Sequence, residues 1–403
     1  MKKASIPWSL ACGLVAALLL AGCERAPAPP AGPTPEAIAA AEQKVVDRLY
    51  AAHIVPGSEA FASASSGLLA AAEEFCGARD AGRFATLQAA WRSTALAWQP
   101  LRWLQAGPGS DQHRMLRIDA WPQARLDLVE TRVRQLLASG QPVDADAIAD
   151  RPVQVQGLPA LETLLFEERG PADFPADANG DRRCALVLGI AGNVAGIAGL
   201  QRTLWRRGAG GGNDANAVFL SAGGATVAPH NVMNLVGNLL MQQLVELKDE
   251  AIGAPVGISP SGEARSPRPG MAHSWRSRAS LERVVASLES VQAVYSGDGD
   301  GDGDGDGDGE GDGEDAFGLD DLLALRGARS IAAKFEELLA AALEQARDLR
   351  DAGLTIREGA VDEASRARLV ELRNRVRDLE IHAEAAVIPA LEIPLTFNFA
   401  DGD

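Results

Sequence analysis

Aromatic side chains are scarce in this chain, 5% of 403 residues, and only two of them are tyrosines. Strands draw on aromatic and β-branched residues, and no segment alternates apolar with polar positions in the way a half-buried strand requires. A sheet-built fold is therefore disfavoured, while abundant Ala and Leu favour helices. Cysteine is limited to four, with no C-x-x-C pair, too few for a zinc cluster. No H-E-x-x-H occurs, and neither a Ser/His/Asp order nor a glycine-rich phosphate loop stands out. Basic residues are outnumbered, 38 against 55 acidic ones, for a net charge of −17. Phosphate binding needs a concentrated basic surface, so nucleic acid is excluded as a partner. A cationic ligand is tolerated by that acidity but not selected by it.

What is present begins at the N-terminus. Lys2 and Lys3 precede an apolar run over residues 10–20, followed by Leu20-Ala21-Gly22-Cys23. Basic start, apolar stretch and small-residue cleavage site read as a secretory signal over 1–22. The run is too short to span a bilayer. The Cys23 context resembles the lipobox of bacterial lipoproteins, which implies acylation of Cys23 and membrane attachment through lipid. Glu24 in place of Asp implies sorting to the outer membrane of a Gram-negative envelope, facing the periplasm or the cell surface. Residues 23–34 are rich in Pro and Ala and read as an extended tether. With Cys12 lost and Cys23 acylated, Cys76 and Cys184 remain as an even pair in an oxidising compartment and are expected to form a disulfide; two buried thiols are the alternative.

Helical periodicity starts near Pro35, a good first-turn residue. Trp91 and Trp98 lie seven apart on one helix face with Phe84 and Leu87, and Pro100 ends or kinks that helix. A buried helix is expected from Asp181 to about Arg207, another over 216–248, then a loop over 253–272 rich in Gly, Pro and Ser. Three and four residue spacings over Ile331, Phe335 and Leu338, and over Leu369, Leu372 and Val376, mark two more. The fold class is all-α: two helical bundles side by side, over 35–208 and 209–403.

Residues 297–313 alternate Gly with Asp or Glu. Free glycine backbone and mutual carboxylate repulsion predict an unpacked acidic loop over 296–315. Asp304, Asp306, Asp308, Gly309 and Asp315 approximate an EF-hand, but the last ligand is Asp and the repeat fits in many registers. Asp177 to Asp181 has calcium-like spacing without the needed Gly and reads as a helix start.

Gly157-Leu158-Pro159-Ala160-Leu161-Glu162 resembles the signature of imelysin-like proteins. Trp91, Trp98 and Trp121-Pro122 upstream, and Gly253 to Gly257 and Ser274-Trp275-Arg276-Ser277 downstream, stand in the order that family uses. The close of the chain, Phe397-Asn398-Phe399-Ala400-Asp401, resembles the iron-regulated lipoprotein branch. The resemblance implies a duplicated helical bundle, an envelope location and a link to iron acquisition, with envelope iron-transport proteins as partners. Iron or another divalent metal is the cofactor it would imply. Some members were called peptidases. It also implies a ligand pocket between the bundles, bordered by Trp91, Trp98, Arg102, Glu162, His273, Ser274, Arg276 and Ser277.

The family motif is Gly-x-His-x-x-Glu, and here Pro159 replaces the His. Proline has no lone pair for a metal or a proton, so Glu162 loses its partner one turn away and remains only a weak metal ligand. Peptidase chemistry is disfavoured on that ground, and no catalytic residue is assigned. Glu162 lies in an apolar helix, where a carboxylate is either a paired anchor or part of a site; Arg102 or Arg276 could pair with it. Of the five histidines, His273 is the best site candidate. His53 and His113 read as solvated, His230 as a helix-start residue, and His382 as a surface partner of Asp378.

Overall fold

A computed structural model describes residues 32–121, 127–166, 170–174, 176–220, 226–297 and 317–395. The signal segment, Cys23, most of the tether, nearly all of the acidic tract and the final 396–403 lie outside the described residues. Among the described residues there is no strand, only an isolated bridge between Ile258 and Ala264. The long helices are α1 (Pro35–Arg48), α2 (Val55–Gly77), α3 (Ala81–Ala97), α4 (Asp127–Ala138), α5 (Gly157–Leu165), α6 (Ala178–Trp205), α7 (Pro229–Glu246), α8 (Ser280–Ser296), α9 (Arg329–Asp351) and α10 (Glu363–His382).

Local chemistry sets their ends. Asp80, Asp177 and Asp362 each accept hydrogen bonds from the first-turn N–H groups of α3, α6 and α10. The Asp177 loop is thus a helix start. Pro35 and Pro229 stand at first positions, where a missing N–H is harmless. The helix expected over 216–248 is instead two, Gly212–Phe219 and α7, because Pro229 begins a new one. Pro100 breaks the tryptophan helix as expected: α3 stops at Ala97 and a short turn, Gln99–Arg102, follows.

Three wide π-type turns, Leu49–Ile54, Leu247–Gly253 and Ala383–Val387, extend helices. Each is followed within two residues by a proline, Pro56, Pro255 or Pro389. A proline ring clashes with the carbonyl four residues back, and widening the preceding turn relieves that clash.

The buried side chains form two apolar cores. The first gathers α2, α3, α5 and α6 around Phe61, Trp91, Trp98, Leu161 and Ile190. Cys76 and Cys184 join α2 to α6 in a disulfide, with Cα atoms 5.6 Å apart. Gly189 of α6 permits a close crossing, since a Cβ there would sit 1.7 Å from the Val143 carbonyl oxygen. The second core gathers α7, α8, α9 and α10, and it also takes α1 through Val45 and Val46, with Tyr50 from the turn that follows. The first helix among the described residues therefore packs with the second core. Among the described residues one segment, Ala178–Gly208, is long and apolar enough to cross a membrane, and 61% of its apolar window is buried within the fold.

Candidate functional site

The chain passes from one core to the other at Arg102, between Leu101 in the first and Trp103 in the second. It does so again at Asp119, between Ile118 and Trp121. Both polar residues are buried at this seam. Asp119 is held by Arg283 of α8, by His273 (Nε2 to Oδ1, 3.1 Å) and by Arg102 (Nε to Oδ2, 3.6 Å). Arg102 also pairs with Glu246 at the end of α7 and donates to the Trp121 carbonyl at 2.8 Å. His273 stacks on Trp121, ring centroids 4.2 Å apart and 6° from parallel.

Glu162 enters the seam from α5. That helix starts at Gly157, whose φ of +70° and 2.1 Å approach of a would-be Cβ to the Ile118 carbonyl both require glycine. Pro159 sits in the first turn, where its missing N–H leaves nothing unpaired. One turn later Glu162 Oε1 accepts hydrogen bonds from the Ser277 N–H (2.8 Å) and the Ser277 hydroxyl (2.9 Å). Ser277 is aimed by a strained loop: Ser274 and Arg278 adopt φ of +54° and +64°. Left-handed backbone costs about 1–2 kcal/mol at a non-glycine residue. Arg283 donates to the Ser274 hydroxyl at 3.0 Å, tying loop and ion cluster together.

Burial would raise the Asp119 carboxyl, but Arg283, His273 and Arg102 overcome it and hold the group well below the usual carboxylate range. Burial, reinforced by Arg283, pushes the His273 imidazole down to about 3. The ring is thus neutral near pH 7, and its Nε2 carries the proton because an ionised Asp119 can only accept. Burial also raises the Glu162 carboxyl, against the opposing bonds from Ser277.

A cavity of about 40 Å³ lies behind this cluster, bordered by Asp119, Pro159, Glu162, His273, Ser274 and Arg283. It has room for roughly two to four waters. Glu162, His273, Ser274 and Arg276 of the predicted set meet here; Ser277 reaches the same place through Glu162. Trp91 does not. It is fully buried in the first core, donating to the Leu158 carbonyl at 3.0 Å and packing on Phe166. Trp98 packs on Phe61 and, with Arg102, borders a second hollow of about 180 Å³ that also adjoins Asp119.

Neither arginine expected beside Glu162 pairs with it. Arg102 is taken by Glu246 and Asp119, and Arg276 by Glu130 of α4 at 2.7 Å. His53 is buried, not solvated, and bonds the Pro100 carbonyl at 2.8 Å. His382 bonds the Ile331 carbonyl at 2.9 Å, while Asp378 pairs with Arg377. Sequence reasoning missed Asp119, Glu246 and Arg283. The one available signal was Arg283 itself, set among the apolar Leu281, Val284 and Val285 of α8.

The donor set does not suit a metal ion. Among the described residues no three His, Cys, Asp or Glu side chains are grouped to hold one. Asp119 is saturated by three cationic or N–H partners, one Glu162 oxygen is occupied, and Arg276 and Arg283 lie close enough to act on Glu162. Proline supplies nothing at position 159.

Comparisons with known proteins agree on one relationship. The imelysin family model, also described as peptidase M75, matches residues 54–382. An imelysin-like protein from Psychrobacter arcticum shares the fold at a TM-score of 0.67 and 21% identity, covering 89% of this chain and 98% of the other. A protein described as an iron-regulated protein A precursor, from Parabacteroides distasonis, superposes at 0.66 with 16% identity, covering 88% and 96%. Among curated proteins none matches significantly.

Proposed function

This chain belongs to the imelysin family, and from that membership we propose a lipid-anchored envelope protein that serves iron acquisition by binding, not by catalysis. The observation that carries the binding role is the strained Ser274–Arg278 segment presenting Ser277 to Glu162 at a seam between two cores. Strain of that kind persists where the surrounding structure over-determines it, and such places are commonly binding sites. The iron link is supported by the fold shared with an iron-regulated precursor. The anchor is supported by the Leu20-Ala21-Gly22-Cys23 sequence. No peptidase step is assigned, because activating a water calls for a metal or a free base, and Glu162 is engaged by Ser277.

The test is genetic. A strain lacking the protein should grow poorly when iron is chelated and recover with the wild-type gene. It should not recover with Glu162→Ala, provided that variant accumulates in the envelope. Normal growth of the deletion strain under chelation would remove the iron role. Release of Cys23→Ala from the membrane fraction, with loss of acyl mass, would support the anchor; retention would contradict it.

A second reading is that the seam is purely structural. The smallness of the 40 Å³ cavity favours it. Full complementation by a folded Glu162→Ala would decide for that reading.

A further inference from the structure

Trp275 and Arg276 border the seam cavity, and the charges there run against those of the whole chain. The protein carries a net −17, yet Trp275 holds two guanidiniums over its ring, Arg276 at 4.3 Å and Arg357 at 3.5 Å from the centroid. Arg278 lies alongside, paired with Glu358. Arg92 joins from α3, donating to the Ser277 carbonyl and lying over Phe166.

Among the described residues the nearby carboxylates already have hydrogen-bond partners. Glu130 is taken by Arg276, Glu358 by Arg278, and Glu162 by Ser277. Among the described residues Arg357 has neither a hydrogen-bond nor an ion-pair partner. It shares one indole ring with a like charge, and burial together with Arg276 pushes its guanidinium below the usual arginine range, against the opposing pull of the neighbouring Glu358. Arg276 is already offset by Glu130, so the charge left without a hydrogen-bonded carboxylate on this aromatic platform is that of Arg357, and an anion reaching both guanidiniums would relieve their repulsion. A guanidinium lying on a ring still offers its N–H edge, which matches a carboxylate in a bidentate pair. Arg276 keeps one such N–H bond, to Glu130, while lying on the ring, and Arg278 alongside shows the two-bond pairing with Glu358.

We propose that this mouth, formed by Trp275, Arg276 and Arg357, binds a small polycarboxylate anion, and that iron reaches the protein as such a chelate, not as a bare ion. The second clause rests on the iron-related function proposed above. It also accounts for a site poor in metal donors: with iron already enclosed by its chelator, the protein needs guanidiniums for the chelator's carboxylates.

Calorimetric titration of the mature, lipid-free protein tests this, with citrate, iron(III) citrate and inorganic phosphate as separate probes. Citrate, with or without iron, should bind saturably and weaken as salt is raised from 50 to 300 mM. Arg357→Gln should weaken it about tenfold or more, Arg357→Lys less, and the distant surface variant Arg347→Gln not at all. If Arg357→Gln fails to fold, the salt dependence and Arg357→Lys carry the test. No saturable citrate binding, equal affinity in Arg357→Gln and wild type, or phosphate binding tighter than citrate would overturn the proposal. The growth assay above uses no citrate. A failed titration beside a positive growth phenotype therefore removes this inference alone.

Discussion

Ser277 grips Glu162 twice, through its backbone N–H at 2.8 Å and its hydroxyl at 2.9 Å, across 115 residues of chain. One partner belongs to a helix of the first core and the other to a loop laid on the second, so the pair is a tie across the seam. Glu162→Ala leaves a buried N–H without an acceptor and opens a void. A loss of about 2–4 kcal/mol is expected. Glu162→Gln keeps an acceptor oxygen in place and should cost about 1 kcal/mol or less. Urea midpoints of the two variants measure the difference; equal losses would show that the hydrogen bonds are not what matters.

Asp119 neutralises Arg283 where both side chains are buried. Asp119→Asn keeps the shape and removes the charge, leaving a buried guanidinium uncompensated. The expected cost is about 3–5 kcal/mol. Asp119→Asn with Arg283→Met should recover part of it, since two neutral groups need no pairing. A double variant no more stable than Asp119→Asn alone would argue against the pair.

Acid should weaken the fold through His273 before it does so through Asp119. The folded imidazole titrates near 3, far below its ordinary 6.5. Its contribution is therefore complete above pH 6.5 and is lost as pH falls toward 3. The slope is about 1 kcal/mol per pH unit between pH 6 and 5. Asp119, also depressed, begins to lose its contribution only near the ordinary carboxylate range. Glu162 is raised, so it acts in the opposite sense, favouring the fold as it takes up a proton. Stability followed from pH 7.5 to 5.0 should fall less steeply in His273→Gln than in wild type. Parallel curves would place the titrating group elsewhere.

The Cys76–Cys184 bond closes a stretch of 108 residues. Its removal by reduction or by Cys76→Ser with Cys184→Ser should cost about 2–5 kcal/mol. A melting temperature unchanged by reductant would contradict this.

The helices were legible because apolar residues at three and four residue spacing leave little else to form, as at Leu369, Leu372 and Val376, all buried in α10. The disulfide was legible by elimination among four cysteines. The break at Pro229 was legible only in part: His230 reads as a helix start, yet apolar residues on both sides of it suggest one unbroken helix over 216–248. The π-type turns were not foreseen, although Pro56, Pro255 and Pro389 marked all three. Within the site, Glu162, His273 and the Ser274–Ser277 segment stood out by motif. Trp91 shared the motif's order yet only fills the first core, since order along a chain does not say which face a side chain takes. Asp119 and Arg283 stayed hidden for a different reason: a buried ion pair looks, residue by residue, like two surface charges. It becomes visible only when the fold sets them 164 positions apart in sequence but in contact.

The seam holds hydrogen bonds and guanidiniums where a metal centre would need free donors. Calorimetric titration of iron(II) and zinc(II) into the mature, lipid-free protein tests this most directly, with Pro159→His measured beside wild type. No saturable binding to wild type is expected, and no tight site in Pro159→His, because Glu162 remains held by Ser277 with Arg276 and Arg283 nearby. One metal ion bound per chain by wild type, and lost in Glu162→Ala, would contradict it.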